Sequence, residues 1–231
     1  MERGISNLAF GPDVSHWSPV KDWSQLVGSG ASIFGAKVSD GGTYVDSSFT
    51  THRDGFRAQS TLKLAVYYHF GRIVSPSSAA AQADHLVDVV GELQPNERLC
   101  LDLEAGSWGP LLPTDIRRQG LKWIDDFFSR LLDGVCKSVR PLIYTSDRIW
   151  HAMGNPAWTL ASEVDLWAPR YSPAMDEPAL PYPWSAWTLW QWSDGKTPAN
   201  DVPGIGTCDT NVFRGDVAAL EQYLAPKVAA G

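Results

Sequence analysis

The sequence has few cysteines, no long hydrophobic run and no excess of positive charge. Its 231 residues include 3 cysteines, an odd number without the close spacing of a disulfide framework or a zinc site. No run of about 18 apolar residues is present, so we expect no membrane span. The formal net charge is -7, which argues against a nucleic-acid partner.

Histidine is also scarce, and a secretory signal is not visible. The 5 histidines are scattered, and no cluster of His, Cys and Asp has the spacing of metal ligands, so we expect no metal and no cofactor. The first ten residues lack the apolar centre of a signal peptide. We therefore expect either that the protein is made in a cytoplasm or that a leader has been removed.

Tryptophan, by contrast, is abundant. The chain has 11 tryptophans, and six of them fall between Trp158 and Trp192. Many will pack in the core, but flat aromatic faces also stack on the apolar faces of sugar rings. With 44% hydrophobic residues, the composition fits one sizeable globular core, and we expect a monomer.

Strand-like and helix-like segments alternate along most of the chain. Five β/α units precede three strands that lack true helices, which predicts a single-domain α/β barrel related to the eightfold β/α barrel. We place an N-terminal extension at 1–10, the barrel at 11–225 and a frayed tail at 226–231. The predicted strands are 13–16, 32–39, 62–70, 97–104, 141–145, 164–168, 188–192 and 207–212, and the predicted helices are 22–28, 48–59, 77–93, 115–132, 147–153 and 217–224.

The fourth strand, Glu97–Glu104, ends in two acids separated by one residue. Side chains on a strand alternate between faces, so Asp102 and Glu104 are predicted to point the same way. Paired carboxylates suit glycosidic cleavage, in which one holds a proton for the leaving oxygen and the other faces the positive charge on the sugar. The alternative is a strand end with two solvated acids, or an acid paired with a structural arginine.

Polar side chains fall at the carboxyl end of every predicted strand, where the chemistry of such barrels is found. Four acids from three strands are predicted to converge there, and each would raise the pKa values of the others. In strand order these residues are Asp13; Lys37 and Asp40; Tyr68 and His69; Asp102 and Glu104; Tyr144; Arg170 or Tyr171; Gln191 or Trp192; and Asp209 with Asn211.

Short motifs in a fixed order make the chain resemble glycoside hydrolase family 25, the lysozymes of the Chalaropsis type. The resemblance covers nearly the whole chain and implies a (β/α)5(β)3 barrel. It also implies cleavage of the β-1,4 bond between N-acetylmuramic acid and N-acetylglucosamine in peptidoglycan. The motifs are DVSH at 13–16, AKVSDG at 36–41 with YVD at 44–46, YYHF at 67–70, DLE at 102–104, IYT at 143–145, LWA at 166–168, WTLWQW at 187–192, and CDTN at 208–211 with FRG at 213–215.

The resemblance assigns roles to individual residues. Glu104 matches the family's general acid, Asp102 its partner, and Asp13 and Asp209 two further acids of the cleft. Asp40 stands where the family usually has a longer Glu, so its carboxylate reaches about one methylene less far. The predicted substrate-binding residues are Lys37, Asp40, Tyr68, His69, Tyr144, Trp167, Tyr171, Trp190 and Gln191.

Two other functions remain open from the sequence. One is a barrel glycosidase acting on chitin or another glycan, which would share the paired acids. The other is a non-catalytic module that binds the cell wall through an aromatic groove. If the protein is a lysozyme, its partner is bacterial peptidoglycan. It is then either a phage enzyme, which is released through a pore or carried on the virion, or a secreted enzyme without its leader.

Overall fold

A computed structural model describes residue 5 and residues 7–225 of the chain, and within them eight strands close into a barrel. Seven strands run parallel, and the last is antiparallel to both of its neighbours. The barrel strands are β1 (Phe10–Val14), β2 (Ile33–Asp40), β4 (Leu64–Phe70), β5 (Glu97–Asp102), β6 (Leu142–Tyr144), β7 (Asp165–Pro169), β8 (Leu189–Ser193) and β11 (Asp209–Phe213).

Strand β1 closes the barrel, because it pairs with β2 on one side and with β11 on the other. The short strand β3 (Tyr44–Val45) pairs antiparallel with the end of β2. Strand β9 (Asp201–Val202) pairs with β10 (Gly206–Thr207) in a separate hairpin. The predicted α/β barrel is confirmed, and the hairpin lies outside the predicted strands except for Thr207, which was placed at the start of the last one.

Helices follow the first five barrel strands, as predicted. They are α1 (Trp23–Gly28), α2 (Phe49–Arg57), α3 (Ala79–Val90), α4 (Pro113–Asp133) and α5 (Asp147–Ala152), and α6 (Val217–Leu224) follows β11. Their starts are encoded locally: the side chains of Asp22, Ser78, Ser146 and Asp216 each accept a hydrogen bond from a backbone N–H of the first helical turn. No described helix is both long and apolar enough to cross a bilayer.

Two layers of apolar side chains form the core. Inward-facing residues such as Leu64, Val66 and Cys100 fill the barrel, whereas their neighbours Ala65, Tyr67 and Leu99 pack outward against the helices. This alternation follows from the two-residue period of a strand. It leaves the inner positions at the carboxyl ends of the strands for polar groups.

The termini of the predicted elements differ from the structure in places. Strand β5 ends at Asp102, so Glu104 lies just beyond the sheet rather than within it. Ala9, placed in the predicted N-terminal extension, is buried in the barrel interior, and Phe10 begins β1. The predicted tail at 226–231 lies outside the described residues.

Candidate active site

Asp13 lies at the centre of the cleft floor, on the strand that closes the barrel. It is paired with Gly35 of β2 on one side and with Asp209 of β11 on the other. A Cβ at Gly35 would approach the Cβ of Asp13 to 2.4 Å. A glycine is therefore needed at position 35 to leave room for the acid.

Two side-chain amides bind the Asp13 carboxylate. Asn211 Nδ2 donates to Asp13 Oδ2 over 2.7 Å, and Gln191 Nε2 donates to the same oxygen over 2.9 Å. Trp167 Nε1 in turn donates to Asn211 Oδ1 over 2.8 Å, which fixes the orientation of that amide. Asn211 appeared only as a strand-end residue in the sequence, and its contact with Asp13 is new.

Gln191 joins the acids to two tyrosines. Its Oε1 accepts hydrogen bonds from the hydroxyls of Tyr144 (2.7 Å) and Tyr171, while its Nε2 also approaches Asp209 Oδ2 at 3.4 Å. Two donors on the oxygen leave the amide nitrogen facing the carboxylates. Tyr144, Tyr171 and Gln191 were all predicted site residues, and the structure brings them together.

Asp102 and Glu104 project from the same side of their segment. Leu103 between them packs in the outer core, and its N–H still pairs with the Tyr144 carbonyl over 2.9 Å. Glu104 keeps an extended backbone, and its N–H donates to Ser107 Oγ over 3.0 Å as a short 3-10 helix begins at Ala105. Asp102 is only 8% exposed, whereas Glu104 is exposed at the mouth of the cleft.

Burial raises the pKa values of both carboxyls, and the charge of a neighbouring acid raises each of them further. Burial raises the pKa of Asp102 well above its usual value, the charge of Glu104 raises it further, and the Lys37 ammonium opposes both effects. The pKa of Glu104 is raised because the surrounding cleft atoms reduce its hydration, with Lys37 lowering it and Asp13 raising it. Two acids this close share their protons as a pair.

Asp13 and Asp209 also have raised pKa values, again chiefly through burial. For Asp13 the hydrogen bonds from Asn211 and Gln191 partly offset the burial. The pKa of Asp209 is raised to about 8 by burial and by the charges of Asp13, Asp194 and Glu104. The cleft therefore holds protons at neutral pH that ordinary aspartates would have released.

The raised pKa of Asp209 predicts a stability that falls as pH increases. The unfolded carboxyl ionises near 3.8 and the folded one near 8, so the folded state is progressively disfavoured between these values. We expect thermal unfolding to show a lower Tm at about pH 8 than at about pH 5, and a smaller decline in Asp209→Asn. A change of about 1 kcal/mol shifts Tm by roughly 2–4 °C in a domain of this size. An equal decline in both proteins would contradict the assignment.

Lys37 and Asp40 lie at the rim beside the acid pair. Lys37 Nζ lies 3.8 Å from Asp40 Oδ2 and 5.2 Å from the centre of the Phe70 ring. Both Asp40 oxygens are bound by the Arg72 guanidinium, at 2.6 and 2.8 Å. Both oxygens of Asp40 are therefore already held by a charged partner before any substrate binds.

Tyr68 and Trp167 form part of the apolar floor. Their rings meet edge to face at 6.0 Å, Tyr144 meets Trp167 in the same way at 5.1 Å, and the Tyr68 hydroxyl donates to the Val14 carbonyl over 3.2 Å. Trp167 is only 2% exposed. It therefore supports the acids from below and offers little surface to a ligand.

His69 does not belong to the cleft, and its prediction as a substrate-binding residue is corrected. The side chain is fully buried on the outer side of β4, hydrogen-bonded to Ser39 Oγ (2.9 Å) and Gln82 Oε1 (3.2 Å), and it stacks on Phe127. Burial lowers the pKa of His69 to about 4, so the ring is neutral. It faces outward because Tyr68 faces inward.

Trp190 is corrected for the same reason. Its neighbour Gln191 faces the cleft, so the indole turns to the outer layer, where it packs on Trp187 and donates to the Arg170 carbonyl over 3.0 Å. Only 2% of the residue is exposed. The Trp190 side chain therefore supports the barrel wall and presents no face to a sugar.

An aromatic cluster after β1 was not among the predicted binding residues. Trp17 is 85% exposed, and its ring lies 4.5 Å from that of His16, which in turn lies 6.4 Å from that of Tyr44. Asp46 Oδ2 accepts hydrogen bonds from His16 Nδ1 (2.7 Å) and the His16 N–H (3.1 Å). The signal in the sequence was the aromatic residue directly after the DVSH motif.

Comparison with known proteins identifies the family. Residues 12–201 match the family described as Glycosyl hydrolases family 25. Over 214 residues the chain is 28% identical to Lysozyme M1 of Streptomyces globisporus, covering 91% of this chain and 69% of that protein. It is also 26% identical over 218 residues to an N,O-diacetylmuramidase of Arthroderma benhamiae, covering 92% and 85% respectively.

Solved structures share the fold. A bacterial lysozyme of Streptomyces coelicolor superposes with a TM-score of 0.79 at 28% identity, over 95% of this chain and 98% of that one. A muramidase of Trichobolus zukalii is similar at 30% identity, with a TM-score of 0.76 over 94% and 98% of the two chains. The family match, the barrel and the paired acids agree: this chain belongs to glycosyl hydrolase family 25 and is a glycoside hydrolase.

Proposed function

We propose that the protein is a muramidase that cleaves the β-1,4 bond between N-acetylmuramic acid and N-acetylglucosamine in peptidoglycan. The observation that carries this proposal is the accessible Glu104 beside the buried Asp102, above a floor with two further acids. Family membership and the lysozyme and muramidase relatives support the choice of bond. The expected site of action is therefore the bacterial cell wall.

Glu104 acts as the general acid. It is the exposed member of the pair, so the oxygen of a glycosidic bond entering the cleft can reach it. Its raised pKa lets Glu104 hold a proton at a higher pH than an ordinary glutamate does. Protonation of the leaving oxygen avoids the release of a poor alkoxide.

Asp102 acts beneath the reacting sugar. Its Oδ1 is buried and has no hydrogen-bond partner among the described residues, so no protein hydrogen bond to this oxygen favours the ionised form. The ionised form of Asp102 must instead be favoured by the bound substrate and by the Lys37 ammonium, which lowers the pKa of Asp102. An N-acetyl N–H, or positive charge developing at the anomeric carbon, would favour the carboxylate form of Asp102 and leave the shared proton on Glu104.

We further propose net retention at the anomeric carbon. The Cα atoms of two residues that are separated by one residue in an extended segment lie roughly 6–7 Å apart, which brings the carboxyls too close to favour an intervening water. Either Asp102 or the substrate's own N-acetyl oxygen, steadied by Asp102, would be the nucleophile. The second route is favoured because it also explains a restriction to N-acetylated sugars.

Digestion of purified peptidoglycan, with chitin as the comparison substrate, tests the proposal. Mass spectrometry should identify fragments with new reducing ends on N-acetylmuramic acid, and chitin should be a poor substrate. NMR of a soluble glycan fragment should show the β-anomer first. Reducing ends on N-acetylglucosamine would refute the choice of bond, and an α-anomer formed first would refute retention.

The rate of hydrolysis is expected to fall as pH increases through the raised pKa of the general acid. Activity should be highest at acidic to neutral pH, because Glu104 must carry a proton, and burial together with the charge of Asp13 raises the pKa of its carboxyl. The measurement is kcat/KM on a soluble fragment across pH, within the range where the fold is intact. A flat profile from about pH 5 to about pH 9 would argue against a carboxylic acid as proton donor.

The exposed indole of Trp17 is expected to extend the glycan groove beyond the acids. A flat aromatic face on the surface suits stacking against a sugar ring, and loss of a stacked ring costs affinity but no proton transfer. We expect Trp17→Ala to raise KM on polymeric glycan by about tenfold, or about 1.4 kcal/mol, with kcat nearly unchanged. Val74→Ala, a matched truncation of an exposed side chain, is the control. Equal KM values for the two variants would exclude this role.

A further inference from the structure

A second large cavity lies at the end of the barrel opposite the acids. It has a volume of about 1140 Å³ and is lined by residues at the amino ends of β5, β7 and β8, the carboxyl end of β11, and helices α4 and α6. We call it the basal cavity. The lining residues used below are Arg98, Lys137, Arg140, Asp165, Arg214 and Tyr223.

Arg98 is a buried cation whose guanidinium lies 5.7 Å from the centre of the Tyr223 ring, and no carboxylate among the described residues pairs with it. The residue is 5% exposed, and its Nη1 donates to the backbone carbonyls of Pro95 (2.7 Å) and Glu97 (2.9 Å). Its Nε is buried and meets no hydrogen-bond partner in the described part of the chain. Two carbonyls and an aromatic face thus contact this buried charge, but no described anion balances it, and because an unbalanced buried charge is costly, the arrangement indicates a place for an anion.

The other cations of the basal cavity differ in their pairing. Arg140 Nη2 binds Asp165 Oδ1 at 2.8 Å, and Asp165 Oδ2 accepts a hydrogen bond from Tyr223 over 2.7 Å. Lys137 and Arg214 are exposed, and neither forms an ion pair within the described residues. Besides Arg140, which Asp165 neutralises, the cavity is thus lined by three cations: Arg98, Lys137 and Arg214.

Acidic residues do not cancel this charge. Besides Asp165, the only carboxylate that lines the described cavity is Glu163, which is exposed and forms no ion pair in the described chain. Four cations therefore face two acids here, in a protein with a formal net charge of -7. A locally positive region of this kind attracts anions, which the net negative charge of the protein otherwise repels.

We propose that the basal cavity binds a phosphate group, either as a phosphomonoester or as a phosphodiester of a larger molecule. Arginine forks bind phosphate and carboxylate oxygens in pairs, and three unpaired cations from separate segments suit an anion with several charged oxygens. The site is at the opposite end of the barrel from the acids and does not depend on the muramidase proposal.

Calorimetric titration of the full chain, at constant ionic strength in chloride, tests the site. The probes are inorganic phosphate, dimethyl phosphate and acetate. We expect saturable phosphate binding that raises Tm, weakened at least tenfold in Lys137→Glu/Arg214→Glu. The matched control is Arg118→Glu/Lys122→Glu, which makes the same charge change on exposed side chains of α4 outside the cavity.

The outcomes separate the possible ligands. Binding of inorganic phosphate alone supports a monoester, and binding of dimethyl phosphate as well supports a diester. Acetate binding as tightly as phosphate, no binding by the wild-type chain, or equal affinities in the two double variants would each overturn the proposal. Arg98→Met tests the buried guanidinium itself and should weaken phosphate binding at least tenfold; the exposed double variant decides the matter if this variant does not fold.

Discussion

Replacing Glu104 with Gln is expected to abolish peptidoglycan hydrolysis while leaving the fold intact. General acid catalysis contributes on the order of 10²–10⁴-fold to a rate, and the amide cannot supply the proton. Glu104 is exposed at the mouth of the cleft, and its side chain supports no part of the core. The measurement is kcat on peptidoglycan, together with thermal unfolding to verify the structure.

Glu92→Gln is the matched control for this experiment. It makes the same chemical change on an exposed side chain between α3 and β5, far from the carboxyl ends of the strands. We expect wild-type activity from it. If Glu104→Gln retained most of the wild-type rate, the proton donor would have to be another residue.

Asp102→Asn is expected to impair hydrolysis by about 10²-fold or more. A buried carboxylate beneath the sugar stabilises positive charge far more than a neutral amide does, because little water is present to screen it. The fold should tolerate the change, since the carboxyl has a strongly raised pKa and its ionisation is costly in the folded protein. The measurement is again kcat, with thermal unfolding as the check on structure.

The pH profile of this variant adds a second readout. Removing the charge of Asp102 removes a neighbour that holds the proton on Glu104, so the pH at which activity falls should shift to lower values. Asp13→Asn and Asp209→Asn serve as comparisons. If Asp102→Asn kept a near-wild-type rate and one of these two variants lost most activity, the ionised partner of Glu104 would be that other residue.

Residue alternation explains most of what could be predicted about the cleft. The two-residue period predicts Asp102 and Glu104 on one side, in keeping with Leu103 between them in the outer core and with the effect of Glu104 on Asp102. The rule that polar residues gather at strand ends predicted Tyr144 and Gln191, which are hydrogen-bonded to each other. The same period contradicts two of the predicted residues. Tyr68 with His69, and Gln191 with Trp190, are neighbours on single strands, so only one of each pair can face the cleft.

Contacts across the closure of the barrel could not be predicted in the same way. The hydrogen bond from Asn211 to Asp13 joins residues 198 positions apart, and it depends on the antiparallel register of β11 against β1. A sequence shows that polar residues stand at strand ends but not which of them meet. The bond between Arg72 and Asp40 likewise required the path of the loop after β4.

The pairing of β1 with β11 also sets the order in which the enzyme can mature on the ribosome. Asp13 is synthesised 178 and 198 positions before its donors Gln191 and Asn211, which emerge only with the last two barrel strands. A nascent or prematurely terminated chain that lacks β11 has an open sheet edge and an unsupported acid. Hydrolytic capacity should therefore appear abruptly, with the last strand, and fragments of the chain should be inert.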